Sequence, residues 1–379
     1  MKIWHIIVGL NVGGAELMLK RLIESHEDNT EYQHLVISLT DVGVVGRRLQ
    51  ALGIEVVAMQ MLSVRDIPRI LWQLTRLIRA GRPDVVQTWM YHADLLGGLA
   101  ARFAGNKKII WGIRTTEVRG SGSRATTLVR KLCAWLSHVV PDTIVCAAHA
   151  SRRAHEAVGY DAKRMEVVSN GFDLSLMVAA PEQRVALRLA CGYTEEHVVI
   201  GTLGRFNPDK DHANFVRAAG LLAREHAQLR FLMVGRGLDP ANMELARWIA
   251  DTGKADCFVL LGERADVAVC LATMDIFCLS SRTEGFPNVV GEAMSMGVPC
   301  VVTDVGDADM LVADTGIVVP RNDSRRLAQA LEQMLRLGAD GYRRLGLEAK
   351  QRIQSEFTIA RARERFESIY QRLVKKGVH

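Results

Sequence analysis

The sequence predicts two α/β domains in tandem, each a doubly wound parallel sheet. Its 379 residues exceed the roughly 250–300 that one hydrophobic core usually serves. Short apolar runs alternate with longer stretches of helical period, the pattern of parallel strands joined by crossover helices. That alternation closes near Asn170 and begins again near His197.

The first series of expected strands is IWHIIVG (3–9), HLVISL (34–39), EVVAM (55–59), DVVQTW (84–89), KIIWGI (108–113), TIVCAA (143–148) and MEVVSN (165–170). Helices fall between them, at 16–24 and 67–79 for example. The second of these places Ile67, Ile70, Leu71, Leu74, Leu77 and Ile78 on one face, an amphipathic spacing. The second series reads HVVIGTLG (197–204), RFLMVG (230–235), CFVLLG (257–262), IFCLSS (276–281), PCVVTD (299–304) and GIVVP (316–320). Several of these strands run directly into glycine-containing turns, where α/β sheets seat ligands. Residues 170–192 read as the linker, and a final helix at 359–375 is expected to cross back to the first half. The predicted division is 1–170, 171–357 and a crossing segment 358–379, with the two domains expected to face each other across a cleft.

Composition narrows the class. Apolar residues make up 49% and charged residues 24%, which fits a globular protein and excludes disorder. The apolar runs are too short to span a membrane, and none is followed by a signal-peptide cleavage site. Seven cysteines without a CxxC pair read as reduced core thiols of a cytosolic protein rather than a zinc site. Residues 1–170 hold 22 Lys and Arg against 15 Asp and Glu, whereas the remainder holds 26 against 27. A basic first half suits an anionic surface or ligand, although a charge count alone favours a solvated arginine-rich exterior. No basic patch interleaved with aromatics stands out, which argues against nucleic acid. No repeat of solenoid period is present.

Three loops carry candidate chemistry. The stretch TEGFPNVVGEA (283–293) sets Glu284 and Glu292 on either side of a helix start. Pro287 suits a first helical position and Gly297 a helix stop. The amides at such a start hold anions, so carboxylates beside them have hydroxyl groups as their natural partners. GTLGRFNPDKDH (201–212) offers Arg205 and Lys210 on a Gly- and Pro-containing loop; an arginine fork with a lysine point charge neutralises a diphosphate leaving group. GLNVGGAEL (9–17) ends the first strand in Gly13-Gly14 before a helix, again an anion seat. It is neither GxGxxG nor a P-loop. Taken singly, these elements are equally a capping acid, a surface basic pair and a tight turn.

Taken together, they resemble the retaining glycosyltransferases of GT-B fold, group 1 (family 4), used in bacterial surface polysaccharide synthesis. The E-x7-E motif matches Glu284 and Glu292, and the phosphate loop matches Gly204, Arg205 and Lys210. GGAE matches Gly13 to Glu16, NG-x-D matches Asn170, Gly171 and Asp173, VGxG matches Gly235 and Gly237, and LLGE matches 260–263. The resemblance spans essentially the whole chain. It implies two Rossmann-like domains closing on a nucleotide-sugar. It assigns Arg205 and Lys210 to the diphosphate, Glu292 to the ribose and Glu284 to a sugar hydroxyl. Gly13, Gly14, Gly204, Gly235, Gly262, Gly285, Phe286, Asn288 and Val289 complete the implied donor site. It also implies catalysis through Glu284, Arg205 and Lys210, with no metal and no cofactor, by front-face attack on the donor.

The sequence departs from the family at Ser169, where proline is common, and at Ala147, where serine is common. In place of a frequent first-domain histidine it has WGIRTTE (111–117), so His92, Arg114 and Glu117 are the candidate acceptor contacts. The resemblance implies a nucleotide-diphosphate sugar donor, a UDP-sugar above others, and a glycan or lipid-linked acceptor. Basic amphipathic stretches at 67–79 and 124–140, the latter with Arg124, Arg130, Lys131, Leu128, Leu132 and Trp135, suit an anionic bilayer. The expected location is therefore cytoplasmic, peripheral on the inner face of the membrane. The rival readings are a nucleotide-sugar epimerase of similar fold and a non-catalytic partner subunit.

Overall fold

The structure is a computed structural model that describes residues 1–27, 29–116 and 124–376. Strands β1 (Lys2–Ile7), β2 (Gln33–Ser38), β3 (Glu55–Ala58), β4 (Val85–Trp89), β5 (Ile109–Ile113), β6 (Thr143–Cys146) and β7 (Met165–Val167) form one parallel sheet. Strands β8 (Val198–Leu203), β9 (Leu229–Val234), β10 (Phe258–Leu260), β11 (Ile276–Leu279), β12 (Cys300–Thr303) and β13 (Gly316–Val319) form the other. In the first half the helices are α1 (Gly14–Glu24), α2 (Gly43–Ala51), α3 (Ile67–Gly81), α4 (Tyr91–Phe103), α5 (Arg124–Leu136) and α6 (His149–Glu156). The second half has α7 (Pro181–Ala190), α8 (His212–Ala223), α9 (Met243–Ala250), α10 (Val267–Thr273), α11 (Asn288–Ser295), α12 (Ala308–Val312), α13 (Ser324–Arg336) and α14 (Gly338–Glu356). Helix α15 (Ile359–Lys376) is the last helix among the described residues.

The chain forms two compact units, Met1–Gly171 with α15, and Phe172–Thr358. At the junctions, Phe172 donates its N–H to the Phe357 carbonyl at 2.8 Å and bridges Thr358. The expected linker at 170–192 is not wholly irregular, because it contains α7. Pro181 opens that helix and Glu182 lies in its first turn, both good start signals. Arg184 and Arg188 then anchor it on Asp275, at 3.4 and 3.2 Å.

Strand order is β3-β2-β1-β4-β5-β6-β7 in one sheet and β10-β9-β8-β11-β12-β13 in the other. Each order reverses direction once, between β1 and β4 and between β8 and β11. Loops leaving the C-terminal ends of those strand pairs diverge to opposite faces and open a crevice. Strands covered on both faces read as near-continuous apolar runs, and here they are. Ile6 packs with Ile37, Val86 and Trp111 toward α3, α4 and α5. Ile3 and Ile7 turn the other way, toward Met18, Leu19 and Leu22 of α1 and Phe366 and Tyr370 of α15.

Several polar groups are sealed into the first unit. The Trp89 indole N–H donates to His5 Nδ1 at 3.3 Å, which leaves the His5 proton on Nε2 and directs it to His34 Nδ1 at 3.0 Å. Burial keeps all three of His5, His34 and His155 neutral, lowering His34 to about 3 and His155 to about 4. Asp94 is fully buried, and burial raises its carboxyl to about 8 although Thr88 Oγ1 (2.6 Å) and the Gly112 amide (3.2 Å) donate to it.

These groups pull stability in opposite directions. Below pH 6.5 the unfolded histidines take up protons that the folded ones refuse, so stability falls as the pH drops. Folded Asp94 holds a proton that the unfolded chain has lost, so its contribution declines as the pH rises toward 8. The melting temperature of the first unit should therefore peak near pH 6.5 and fall on both sides. The alkaline slope should be about 1.4 kcal/mol per pH unit. Asp94→Asn, a neutral isostere, should flatten that side in thermal melts from pH 4.5 to 8; a wild-type melting temperature still climbing at pH 8 would contradict the assignment.

Candidate functional site

The two charged loops of the second unit leave adjacent strands at its switch point. Residues 204–211 follow β8 and residues 280–287 follow β11. Lys210 Nζ donates to Glu284 Oε1 at 2.6 Å, and Ser281 Oγ donates to the same oxygen at 2.7 Å. The Arg282 amide donates to the Asp209 carbonyl at 2.7 Å, and its guanidinium to Asp211 Oδ1 at 2.9 Å. Ser280 Oγ adds a bond to the Lys210 carbonyl at 2.9 Å. The loops are thus stitched into one surface. Arg205 stands at its edge with an exposed side chain that has no hydrogen-bond or ion-pair partner among the described residues. Its carbonyl is held by His212 Nε2 at 3.2 Å.

Two glycines set the walls. Gly235, just past β9, has φ +145°, and a Cβ there would lie 2.1 Å from the Gly204 carbonyl oxygen. The Gly235 amide donates to the Gly262 carbonyl at 2.7 Å and the Gly204 amide to Val234 at 2.9 Å, so the β8, β9 and β10 loops lock together. Gly306, past β12, has φ +63°, and a Cβ there would lie 2.2 Å from the Gly285 carbonyl oxygen. The Asp307 amide donates to that same oxygen at 2.9 Å. Thr303 Oγ1 donates to the Ser281 carbonyl at 2.8 Å. The Glu284–Gly285 turn is therefore braced from behind.

Helix α11 begins at Asn288, so Pro287 is its N-cap, with ψ 87°, rather than its first helical residue. Phe286 is buried between Phe172 and Phe357, with ring centroids 6.0 and 5.9 Å away. Only its backbone can face a ligand. Asn288, Val289 and Glu292 are half-buried along α11, and Gly297 ends the helix at φ +76°. The first-turn amides of a helix lack intrahelical acceptors, which leaves this turn suited to an anion.

In the first unit, Gly13 caps α1 in extended backbone. The Glu16 carboxylate folds back over it, 2.4 Å from where a Gly13 Cβ would stand, and burial raises its pKa. The seat at Gly13-Gly14 thus holds the chain's own carboxylate. His92 is half-buried on α4, its pKa lowered by burial. Arg114 lies 4.6 Å over the Trp89 ring and 5.7 Å over Phe366, and donates to Asn170 Oδ1 at 3.1 Å. The stack is internal to the first unit, and Arg114 Nε and Nη2 make no hydrogen bond. Glu117 lies outside the described residues.

Among the described residues one cluster could hold a metal ion, Glu225, His226 and Glu332. It lies past the C-terminal end of α8, whereas the charged loop leads into that helix's N-terminus, and Glu332 already pairs with Arg336 at 2.7 Å. The sequence reading missed Ser281, Arg282, Asp209, Asp211, Gly306 and Asp307. The one available signal was the glycine in VGDAD (305–309) directly after an expected strand.

A family model described as Glycosyltransferase Family 4 matches residues 12–176, and one described as Glycosyl transferases group 1 matches 197–336. The chain belongs to the group 1 glycosyltransferases of GT-B fold. The glycosyltransferase is 24% identical to the Escherichia coli UDP-Gal:alpha-D-GlcNAc-diphosphoundecaprenol alpha-1,3-galactosyltransferase, over 71% of this chain and 70% of that one. It is 28% identical to the Corynebacterium glutamicum GDP-mannose-dependent monoacylated alpha-(1-6)-phosphatidylinositol monomannoside mannosyltransferase, over 85% of each. Its fold matches Anabaena HepE in complex with UDP-glucose, with a TM-score of 0.80, 22% identity and 99% of each chain covered.

The glycine lock has a measurable cost if broken. Gly235→Ala forces both a disfavoured dihedral and a backbone clash, and should destabilise the second unit by about 2–3 kcal/mol. Gly253→Ala, where φ is +69° and nothing lies within 4 Å, should cost about 1 kcal/mol. Equal drops in melting temperature would show that the close approach contributes nothing.

Proposed function

We propose that this glycosyltransferase moves a sugar from a nucleoside diphosphate donor, a UDP-sugar above others, to a lipid-linked glycan in surface polysaccharide synthesis, with retention and without a metal ion. The observation that carries this reading is the exposed Arg205, without a partner among the described residues, on the same stitched surface as the Lys210–Glu284 pair. A fork-shaped cation beside a lysine suits a diphosphate. Lys210 already donates to one Glu284 oxygen, so the other is the acceptor for a donor-sugar hydroxyl. Glu292, further along α11, is assigned to the ribose.

In the reaction the bond from the anomeric carbon to the diphosphate breaks, and the acceptor oxygen bonds to that carbon on the same face. The acceptor's proton passes to the departing diphosphate, which leaves with the electron pair of the broken bond. Arg205 and Lys210 stabilise the charge that develops there. The UDP preference rests on the UDP-galactose and UDP-glucose named for two similar proteins. The GDP-mannose named for a third makes GDP the competitor to test.

The lipid-linked acceptor rests on the lipid carriers in the names of two relatives and on the surface of α3, α4 and α5. Leu128, Leu132, Trp135 and Val139 form an exposed stripe with Lys131 beside it, and Trp135 is 72% exposed. Trp72 and Phe103 extend this apolar surface, tied in by Arg79 to the Phe103 carbonyl and Arg102 to the Val139 carbonyl, each at 2.7–2.8 Å. Arg130, expected at the surface, is buried instead. No helix among the described residues is long and apolar enough to cross a membrane. The proposed location is peripheral, on the cytoplasmic face.

UDP should raise the melting temperature of the wild type more than GDP, ADP or NAD, and Arg205→Ala should lose that response. Turnover should fall about 10²–10³-fold in Arg205→Ala and Lys210→Ala and survive EDTA. A melting temperature indifferent to every nucleoside diphosphate would overturn the donor assignment. Separately, the protein should float with anionic liposomes, and Leu132→Glu/Trp135→Glu should abolish flotation; unchanged flotation in that variant would remove the α5 stripe from the account.

A further inference from the structure

The second unit carries a second concave site, at the opposite ends of its strands. The donor loops leave the C-terminal ends of β8 and β11. A cavity of about 520 Å³ is lined instead by residues that precede β11 and β12, including Met274, Asp275 and Pro299. The four residues of β11 separate the two by about 13 Å.

Its walls divide by chemistry. Met177, Met274, Met296 and Tyr342 supply an apolar, adaptable lining, while Arg184, Arg343 and Lys350 supply positive charge. Asp275, the one carboxylate in the lining, is already spent. Arg184 donates to its Oδ1 at 3.4 Å, and Arg188 and the Val199 amide donate to Oδ2 at 3.2 and 2.8 Å. Arg343 and Lys350 stand seven residues apart on α14, on one helix face. Neither has an ion-pair partner among the described residues. The Lys350 stem lies over Gly297, which keeps its ammonium at the rim of the cavity.

We propose that this cavity binds an organic phosphate: a phosphate group held by Arg343 and Lys350, attached to an apolar body that rests on the three methionines. Methionine lining suits ligands of variable shape, and two unneutralised cations beside a satisfied aspartate select for an anion. An occupied cavity holds residues 177–181, which lead from the Phe172 junction into α7. The site therefore gives the second unit a ligand input separate from the donor loops, and it stands independently of the donor reading.

The test is calorimetric titration of the full chain with octyl phosphate below its micelle concentration, beside inorganic phosphate and octyl glucoside. Saturable binding of octyl phosphate is expected, at least about tenfold tighter than either control and at least about tenfold weaker in Arg343→Glu/Lys350→Glu. Should that variant melt early, Arg343→Gln/Lys350→Gln removes the same charges more gently. Octyl phosphate that binds no tighter than inorganic phosphate overturns the apolar half of the assignment, and one that binds no tighter than octyl glucoside overturns the anionic half. Affinity unchanged in the variants, or no saturable binding, overturns the site.

Discussion

The surface built by the β8 and β11 loops of the second unit depends on one ion pair. Lys210 and Glu284 belong to loops that follow different strands, 74 residues apart in the chain. Their side chains are only 22% and 12% exposed. In that setting, removing either partner strands the other as a largely desolvated charge, far costlier than losing a surface pair. Everything around the pair serves to hold it. Ser281 fixes the carboxylate, Arg282 binds the opposing loop through Asp209 and Asp211, and the Gly306–Asp307 turn braces Glu284 from behind. Arg205 lies exposed beside this rigid surface, without a hydrogen-bond or ion-pair partner among the described residues.

The strand order is what brings these loops together. β8 and β11 are neighbours only because the sheet reverses between them. Periodicity, composition and loop residues do not encode which strands become neighbours. That explains what was legible in the sequence and what was not. Strands buried on both faces announced themselves as apolar runs, and their limits moved by up to three residues. Arg205, Lys210, Glu284 and Glu292 were visible because charge stands out among glycines. That Lys210 and Ser281 would both donate to one Glu284 oxygen, leaving the other without a partner among the described residues, required the tertiary pairing. Phe286 looked like a ligand contact in its motif, yet its ring is more stabilising packed between Phe172 and Phe357.

Burial likewise reassigns several charges of the first unit. Arg114 was a candidate acceptor contact because it stands where many members of the family place a histidine; it stacks on Trp89 and Phe366 and bonds Asn170, while its Nε and Nη2 make no hydrogen bond. A guanidinium so enclosed is lowered to about 10 by burial and remains charged at neutral pH. Its cation–π contacts, worth about 2 kcal/mol or more when desolvated, offset part of that burial and tie α15 to the end of β4. Arg130 was expected on a membrane-facing side and is buried, while Leu128, Leu132, Trp135 and Val139 are the residues that face outward. Helical spacing predicts a stripe, but only packing decides which side of the helix faces water.

The claim that the β8 and β11 loops form the donor seat is tested most directly by hydrogen exchange with and without UDP. UDP should protect amides at 204–212 and at 284–292, including the first turn of α11, and Lys210→Ala should remove the protection at both loops together. Protection confined to the first unit, or protection of one loop that persists unchanged in Lys210→Ala, would contradict it.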